Sequence, residues 1–320
     1  MRKIYIEKNE ANQRIDKFLR KYINKASLSF IYKMIRKKNI KVNHKKVSND
    51  YLLQEGDYIE LFLSEETIKS FIEQKQIHQV KRTFHIIYED DNMIVVDKPQ
   101  GLLVHEDHSQ DKNTLINQVI KYLYDEKKYD PQKEKTFVPA SVNRLDRNTS
   151  GIVIIGKSYQ GLQSLNEMIR EKDCIRKYYL TIVKGRVEHK KELKAYLVKD
   201  EKTNKVQIFS KKALNAKEIH TIYTPIEWNQ EYSLLEVEIV TGRSHQIRAH
   251  LLSIGHPIIG DQKYGDLKTN KLFKNLKSQF LHAYKIDFIT CNKNLKYLEG
   301  KSFHSPLPEE FKKIKSRLFQ

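Results

Sequence analysis

From residue 14 the apolar positions Ile15, Phe18, Leu19 and Ile23 fall on one face of a helix. Ser27 is suited to cap a second helix. In that helix Leu28, Ile31, Met34 and Ile35 recur at helical spacing, while Lys33, Arg36, Lys37 and Lys38 stand on the other face. The period then shortens. Ile40 to Val42, Lys45 to Val47 and Gly56 to Leu61 read as small strands, with a turn at Asn43-His44. Two helices and a few strands make a compact unit over residues 1–63. Residues 64–83 are polar, rich in Glu, Lys and Gln, and read as a linker with a helical stretch around Ile68 to Ile72.

From Phe84 onward the pattern changes again. β-prone runs occur at Ile86 to Tyr88, Met93 to Val96, Ile152 to Ile155, Tyr178 to Val183, Val206 to Phe209, His220 to Tyr223, Leu234 to Val240 and Tyr284 to Phe288. Helical patterns appear at Leu115 to Leu123, Tyr159 to Ile169 and Ser244 to Ser253, the last stopping at Gly255 with Pro257 beyond. Strands outnumber helices without alternating strictly. The expectation for residues 84–320 is an α+β domain on a large mixed, mostly antiparallel sheet flanked by helices and loops. No repeat of solenoid length is visible.

Charge sharpens the picture. The chain of 320 residues carries a formal +19. Residues 1–50 hold 15 Lys or Arg against 4 Asp or Glu, a net +11 concentrated in the first module. Such a field attracts polyanions. No apolar run approaches the roughly 18 residues that would span a bilayer, and the N-terminal residues lack the pattern of a signal peptide. Nucleic acid is therefore the expected partner, and a membrane is not. Cys174 and Cys291 stand far apart without metal spacing, so neither a disulfide framework nor a zinc site is expected. The cytoplasm is the natural compartment.

Four segments carry candidate chemistry. Val142 to Gly151, reading VNRLDRNTSG, lies directly before an apolar strand. Asp146 flanked by Arg144 and Arg147 is suited to remain ionised, as a nucleophile does. The same spacing also fits an ion pair closing a turn, with Thr149 and Ser150 satisfying backbone groups. The second segment, Val240 to His250, reads VTGRSHQIRAH. A helix opening there presents Arg243, His245, Gln246 and Arg248, a ready phosphate or carboxylate site. His245 and His250 are five apart, which does not suit two ligands on one helical face, so no metal is expected. In the third segment, Arg176 to Gly185, Tyr178 and Tyr179 take opposite faces of a strand, and one can stack on a base. A core tyrosine fits that position equally. The fourth, Asp97 to His105, ends a strand in a Lys98-Pro99 turn. His105 and His108 with Glu106 and Asp107 fit a solvated loop better than a metal site. There is no phosphate-binding loop, dinucleotide glycine set, zinc-deaminase pattern or metalloprotease pair, so no nucleotide cofactor or metal is expected.

Together these segments resemble the RluA family of pseudouridine synthases. The match runs through Asn143 to Gly151, Thr241 to Arg248, Lys177, Tyr179 and Gly185, and Lys98 to Gly101, and covers roughly residues 84–310. Residues 12–62 resemble the alpha-L RNA-binding module of a small-subunit ribosomal protein. The resemblance implies that Asp146 is the essential carboxylate and that Arg248 pairs with it. It implies that Tyr179 packs on the target base and takes a proton from it, and that Arg144 holds the flipped nucleotide or fills its place. Arg147, Thr149, Arg243, His245 and Gln246 are expected to contact substrate RNA. The implied activity needs no cofactor: uracil leaves its ribose, turns, and rejoins through carbon. A monomer acting on large-subunit ribosomal RNA is expected. The alternatives are transfer RNA as substrate, or a non-catalytic RNA-binding or ribosome-assembly factor; the intact Asp146, Tyr179 and Arg248 argue against the latter. Two positions depart from the pattern. Asn143 replaces the usual histidine, and Leu28 stands where the module has an arginine, which leaves RNA contact there to Lys33, Arg36 and Lys37.

Overall fold

The computed structural model describes residues 1–73, 76–107, 111–200, 203–273 and 276–319. His108 lies outside them, so the His105–His108 pair has no structural account.

The first module opens with a strand that the sequence pattern did not reveal, β1 (Arg2–Tyr5), followed by α1 (Ile15–Tyr22), α2 (Leu28–Arg36), β2 (Ile40–Val42) and β3 (Tyr58–Leu61). The strands pair in the order β1-β3-β2, all antiparallel. The Ser27 hydroxyl caps α2 by accepting from the Phe30 N–H. Ile15, Phe18, Leu19, Ile23, Ile31, Met34 and Ile35 form the core, whereas Leu28 at the first helical position is 39% exposed. Asn43 and His44 both take positive φ, which turns the chain tightly between Val42 and Lys45, and the strand expected at Lys45 to Val47 is reduced to a single bridge at Lys45. The helical stretch of the linker is α3 (Glu65–Ser70), and it packs Ile68 fully into this core. The hydrophobic unit thus continues past residue 63, because an amphipathic turn buries its one apolar face on the nearest core.

The second domain runs β4 (His85–Glu89), β5 (Met93–Lys98), α4 (Leu115–Asp125), β6 (Ala140–Ser141), β7 (Ser150–Gly156), α5 (Tyr159–Arg170), β8 (Ile175–Lys184), β9 (Lys191–Asp200) and β10 (Lys205–Phe209). It continues with β11 (Lys217–Trp228), β12 (Tyr232–Ile239), α6 (Gln246–Ser253), α7 (Leu267–Leu272), β13 (Leu281–Phe288), a 3-10 helix (Lys293–Leu298), β14 (Ser302–His304) and α8 (Glu309–Leu318). One sheet follows the order β10-β9-β11-β12-β8-β13-β7-β5-β4, with β14 beside β13 and β6 beside β7. The α+β expectation is correct. β5 and β7 are buried on both faces, which explains their unbroken apolar runs. Ile94, Val96, Val153 and Ile155 pack on the α4 side, and Met93, Val95, Ile152 and Ile154 on the α5 side. That second core also brings Cys174 and Cys291, distant in sequence, into one buried cluster as free thiols.

The sheet is two antiparallel ribbons joined at a single parallel seam. At the seam β13 meets β7 through His282 opposite Ser150 and Ala283 opposite Gly151. Gly151 has φ +110, and a Cβ there would lie 2.2 Å from the Ala283 carbonyl oxygen. Only glycine lets the two backbones approach so closely. We predict that Gly151→Ala costs about 3 kcal/mol or more of stability, from overpacking and backbone strain together; a urea unfolding midpoint equal to that of the parent chain would contradict this.

Candidate active site

The seam places the site. The loop before β7 ends on Ser150, and Tyr179 on β8 sits opposite Ala283 across the next ladder. The loop is fastened along its length. The Asn143 side chain donates to the Ile152 carbonyl at 3.0 Å and accepts from the Ile154 N–H at 2.8 Å. This backbone pairing is the work done at the position where the family pattern has histidine. Thr149 N–H closes a turn on the Asp146 carbonyl at 3.0 Å. Gln100 donates to the Asn148 carbonyl, and Ser150 bonds His282 at 2.9 Å.

Lys98 supplies the deepest anchor. Its Nζ donates to the carbonyls of Pro99, Leu102 and Arg147 at 2.9, 2.8 and 3.0 Å. Burial pushes its pKa down to about 7 against the pull of Asp146 and then Asp97. Three carbonyl acceptors match the three protons of an ammonium and not the two of an amine, so the cage fits the charged form.

Asp146 emerges from this loop with 24% of its side chain open to solvent. Its Oδ2 accepts from Arg248 Nη1 at 2.8 Å. The other edge of the guanidinium is gripped by Asp261, with Nε to Oδ2 at 2.7 Å and Nη2 to Oδ1 at 2.9 Å. Asp261 is fully buried and also accepts from the N–H groups of Lys263 and Tyr264. Burial raises its carboxyl pKa, but the Arg248 hydrogen bonds and charge outweigh that and hold it below the ordinary 3.8. Burial likewise opposes charge on Arg248, and Asp261 and then Asp146 reverse the balance and hold its pKa above the usual value. Exposure falls from Asp146 at 24% through Arg248 at 9% to Asp261 at zero. The guanidinium is anchored from behind and presents a positive edge to a solvent-reachable carboxylate.

Tyr179 lies beside this pair and is buried. Burial, then the nearby charge of Asp146, push its phenol well above the ordinary 10. The hydroxyl is therefore protonated at neutral pH. His245 is half-buried, with Nε2 at 4.0 Å from Asp146 Oδ2. It adopts φ +55 and turns the chain into α6, so the helix begins at Gln246 and not at Ser244.

That late start separates the predicted arginine pair. Arg248 turns inward to the two aspartates, while Arg243 stays exposed. Gln246 is buried and accepts from Thr241 and the Arg243 N–H, while its amide donates to the His220 carbonyl. Thr149 is buried and accepts from Gln279. Both are buried and bonded to the protein's own groups in this structure. Arg144 and Arg147 are exposed, and the ionic partner of Asp146 is Arg248 and not its sequence neighbours. Among the described residues no group of three or more His, Cys, Asp or Glu side chains is placed to hold a metal ion.

The family model described as RNA pseudouridylate synthase matches residues 92–253, a stretch that holds Asp146, Tyr179 and Arg248. The chain belongs to the RNA pseudouridylate synthase family. An S4 domain model matches residues 13–59 of this synthase. It is 34% identical to an uncharacterized RNA pseudouridine synthase of Mycoplasma capricolum, over 94% of this chain and 96% of that one. It is also 34% identical to the ribosomal large subunit pseudouridine synthase C of Haemophilus ducreyi, over 98% and 94%. Among solved structures, human RNA pseudouridylate synthase domain containing 4 shares the fold, with a TM-score of 0.57 at 23% identity, over 73% of this chain and 92% of that one. The chain is an RNA pseudouridine synthase of the RluA type.

The sequence pattern did not single out Asp261 or Tyr264, and it gave Lys98 only a turn. A signal for Asp261 was present: an aspartate directly after the apolar run Ile258-Ile259-Gly260 is set to be buried, and a buried carboxylate needs a cation. We predict that Asp261→Asn in the synthase leaves the guanidinium without its buried counter-charge and costs about 3–5 kcal/mol. The lowered carboxyl pKa fixes the pH dependence. The difference between parent and variant is full above about pH 4 and shrinks as pH falls through the depressed pKa; denaturation curves at pH 7 and pH 3 would show it, and a gap that grows on acidification would exclude it.

Proposed function

We propose that this synthase isomerises uridine in large-subunit ribosomal RNA and that Asp146 is its catalytic carboxylate. One observation carries the reading: a solvent-reachable carboxylate held by an arginine that is itself locked to a buried second aspartate. The lock orients Asp146 through Oδ2 and balances its charge. An oriented anion suits the cleavage of the bond between uracil and ribose, as nucleophile or as stabiliser of positive charge on the sugar.

The target uridine must first leave its stack, which costs a few kcal/mol. Tyr179 supplies a buried ring on which the extruded base packs. A neutral phenol is a poor resting base, so packing is the role we give it. Arg144 and Arg147 are exposed on the loop that carries Asp146 and Arg243 is exposed ahead of α6, and we give these three the contacts to phosphates. The relatives named as large-subunit synthases support the ribosomal assignment, as does the basic first module. Lys33, Arg36 and Lys37 are exposed on α2, and Lys33 and Arg36 line a groove of about 830 Å³ that also includes Lys46 and Asn49.

Ribosomal RNA from cells lacking the gene should lose pseudouridine at the target, and the parent gene should restore it while Asp146→Asn should not. Restoration by Asp146→Asn would remove the carboxylate from the mechanism. Changing Lys33, Arg36 and Lys37 together to alanine should lower the log–log salt slope of RNA binding by about two to three. An unaltered slope would place the phosphate contacts elsewhere.

A further inference from the structure

His245 ends a chain of hydrogen bonds that determines where its proton sits. The Val206 N–H, on edge strand β10, donates to the Tyr264 hydroxyl at 2.9 Å. That hydroxyl keeps its own proton to give, and His245 Nδ1 lies 2.9 Å away. The hydroxyl proton has no other acceptor among the described residues, so Nδ1 is assigned as its acceptor and the proton of the neutral ring to Nε2. Nε2 faces Asp146 Oδ2 at 4.0 Å, beyond hydrogen-bond length, and that oxygen is already engaged by Arg248. Among the described residues the Nε2–H has no acceptor. It lies beside Asp146, whose side chain is 24% open to solvent.

The surroundings keep the ring neutral. Burial lowers its pKa below the usual value; Asp146 and Asp261 oppose this, while Arg248 and Lys263 reinforce it. The backbone supplies an independent sign. A histidine at φ +55 is uncommon and is held there by its surroundings. At that φ the ring stands against Tyr264, their centroids 5.5 Å apart, with Nε2 toward Asp146.

Breaking the bond between ribose C1′ and uracil N1 leaves the electron pair on the uracil, as an anion shared by N1, O2 and O4. That pair is used again when C5 bonds to C1′; the ring then loses a proton at C5 and gains one at N1. A preset N–H donor stabilises such transient charge without reorganising. We propose that His245 donates its Nε2–H to a carbonyl oxygen of the detached uracil, with the proton remaining on the nitrogen. This rests on the reading that the glycosidic bond is broken at Asp146.

The test uses the full-length synthase with total RNA from cells lacking the gene, under single turnover at varied enzyme concentration. His245→Ala should slow the saturated rate about 100-fold, with the half-saturating enzyme concentration unchanged. His245→Gln, which returns an N–H near the same place, should recover at least about tenfold of that loss. A loss confined to the half-saturating concentration would make His245 an RNA contact and overturn the proposal. Nitrogen-15 NMR of histidine-labelled protein, assigned with His245→Ala, should show the neutral Nε2–H form at pH 7 and a tautomer mixture in Tyr264→Phe. An Nδ1–H form or an imidazolium in the parent protein would also overturn it, whatever the folding of the variants. An active Asp146→Asn enzyme would bring down the underlying reading and this proposal with it. If Asp146→Asn is inactive while His245→Ala keeps its saturated rate, the inference about His245 alone falls.

Discussion

One guanidinium holds the site together. Arg248 is forked between Asp261, which is fully buried, and Asp146, which is not. Two edges of a planar cation meet two carboxylates, and the deep one cannot move. A buried ion pair of this sort adds little to stability by itself, since desolvation consumes most of the attraction. What it contributes here is direction. The arginine cannot rotate away without stranding Asp261, so Asp146 keeps its place beside Tyr179.

The carboxylate also depends on a fixed loop, and the loop depends on the seam of the sheet. Antiparallel ribbons meet at β7 and β13 over two residue pairs, close enough that Gly151 is obligatory. The parallel seam interrupts the regular ladder just where the Asp146 loop enters it. Side chains then take over the fastening: Asn143, Lys98, Gln100 and Gln279 each bond a backbone or hydroxyl group of the loop or of the strand it enters. Thr149 and Gln246 belong to this internal scaffolding, whereas Arg144, Arg147 and Arg243 are exposed.

Charge is divided between the two parts of the chain. Residues 1–50 carry a net +11 of the chain's +19, while in the second domain the arginine at the centre of the site is paired with two aspartates. Contacts between the parts are polar: Asn9 bonds Glu134, and Lys135 pairs with Glu7 and Glu10.

The sequence by itself determined the two-part organisation, most of the strands, the cap at Ser27 and the loop bearing Asp146. These follow from local period, capping and charge, which neighbouring residues express. It also showed Arg248 near the start of a helix. Short or amphipathic pieces escaped it: β1, the lysine-rich β9, whose Leu193, Ala195 and Leu197 alternate with Lys194 and Tyr196, and the attachment of α3 to the first core. Only the tertiary structure decided which of the clustered polar groups face inward. Arg248 and Asp146 are 102 residues apart, Arg248 and Asp261 are 13 apart, and the left-handed turn at His245 sets which side of α6 meets the loop. Spacing along a chain gives the face of one element, whereas partnership between charges depends on how distant elements pack, and that is a property of the assembled sheet.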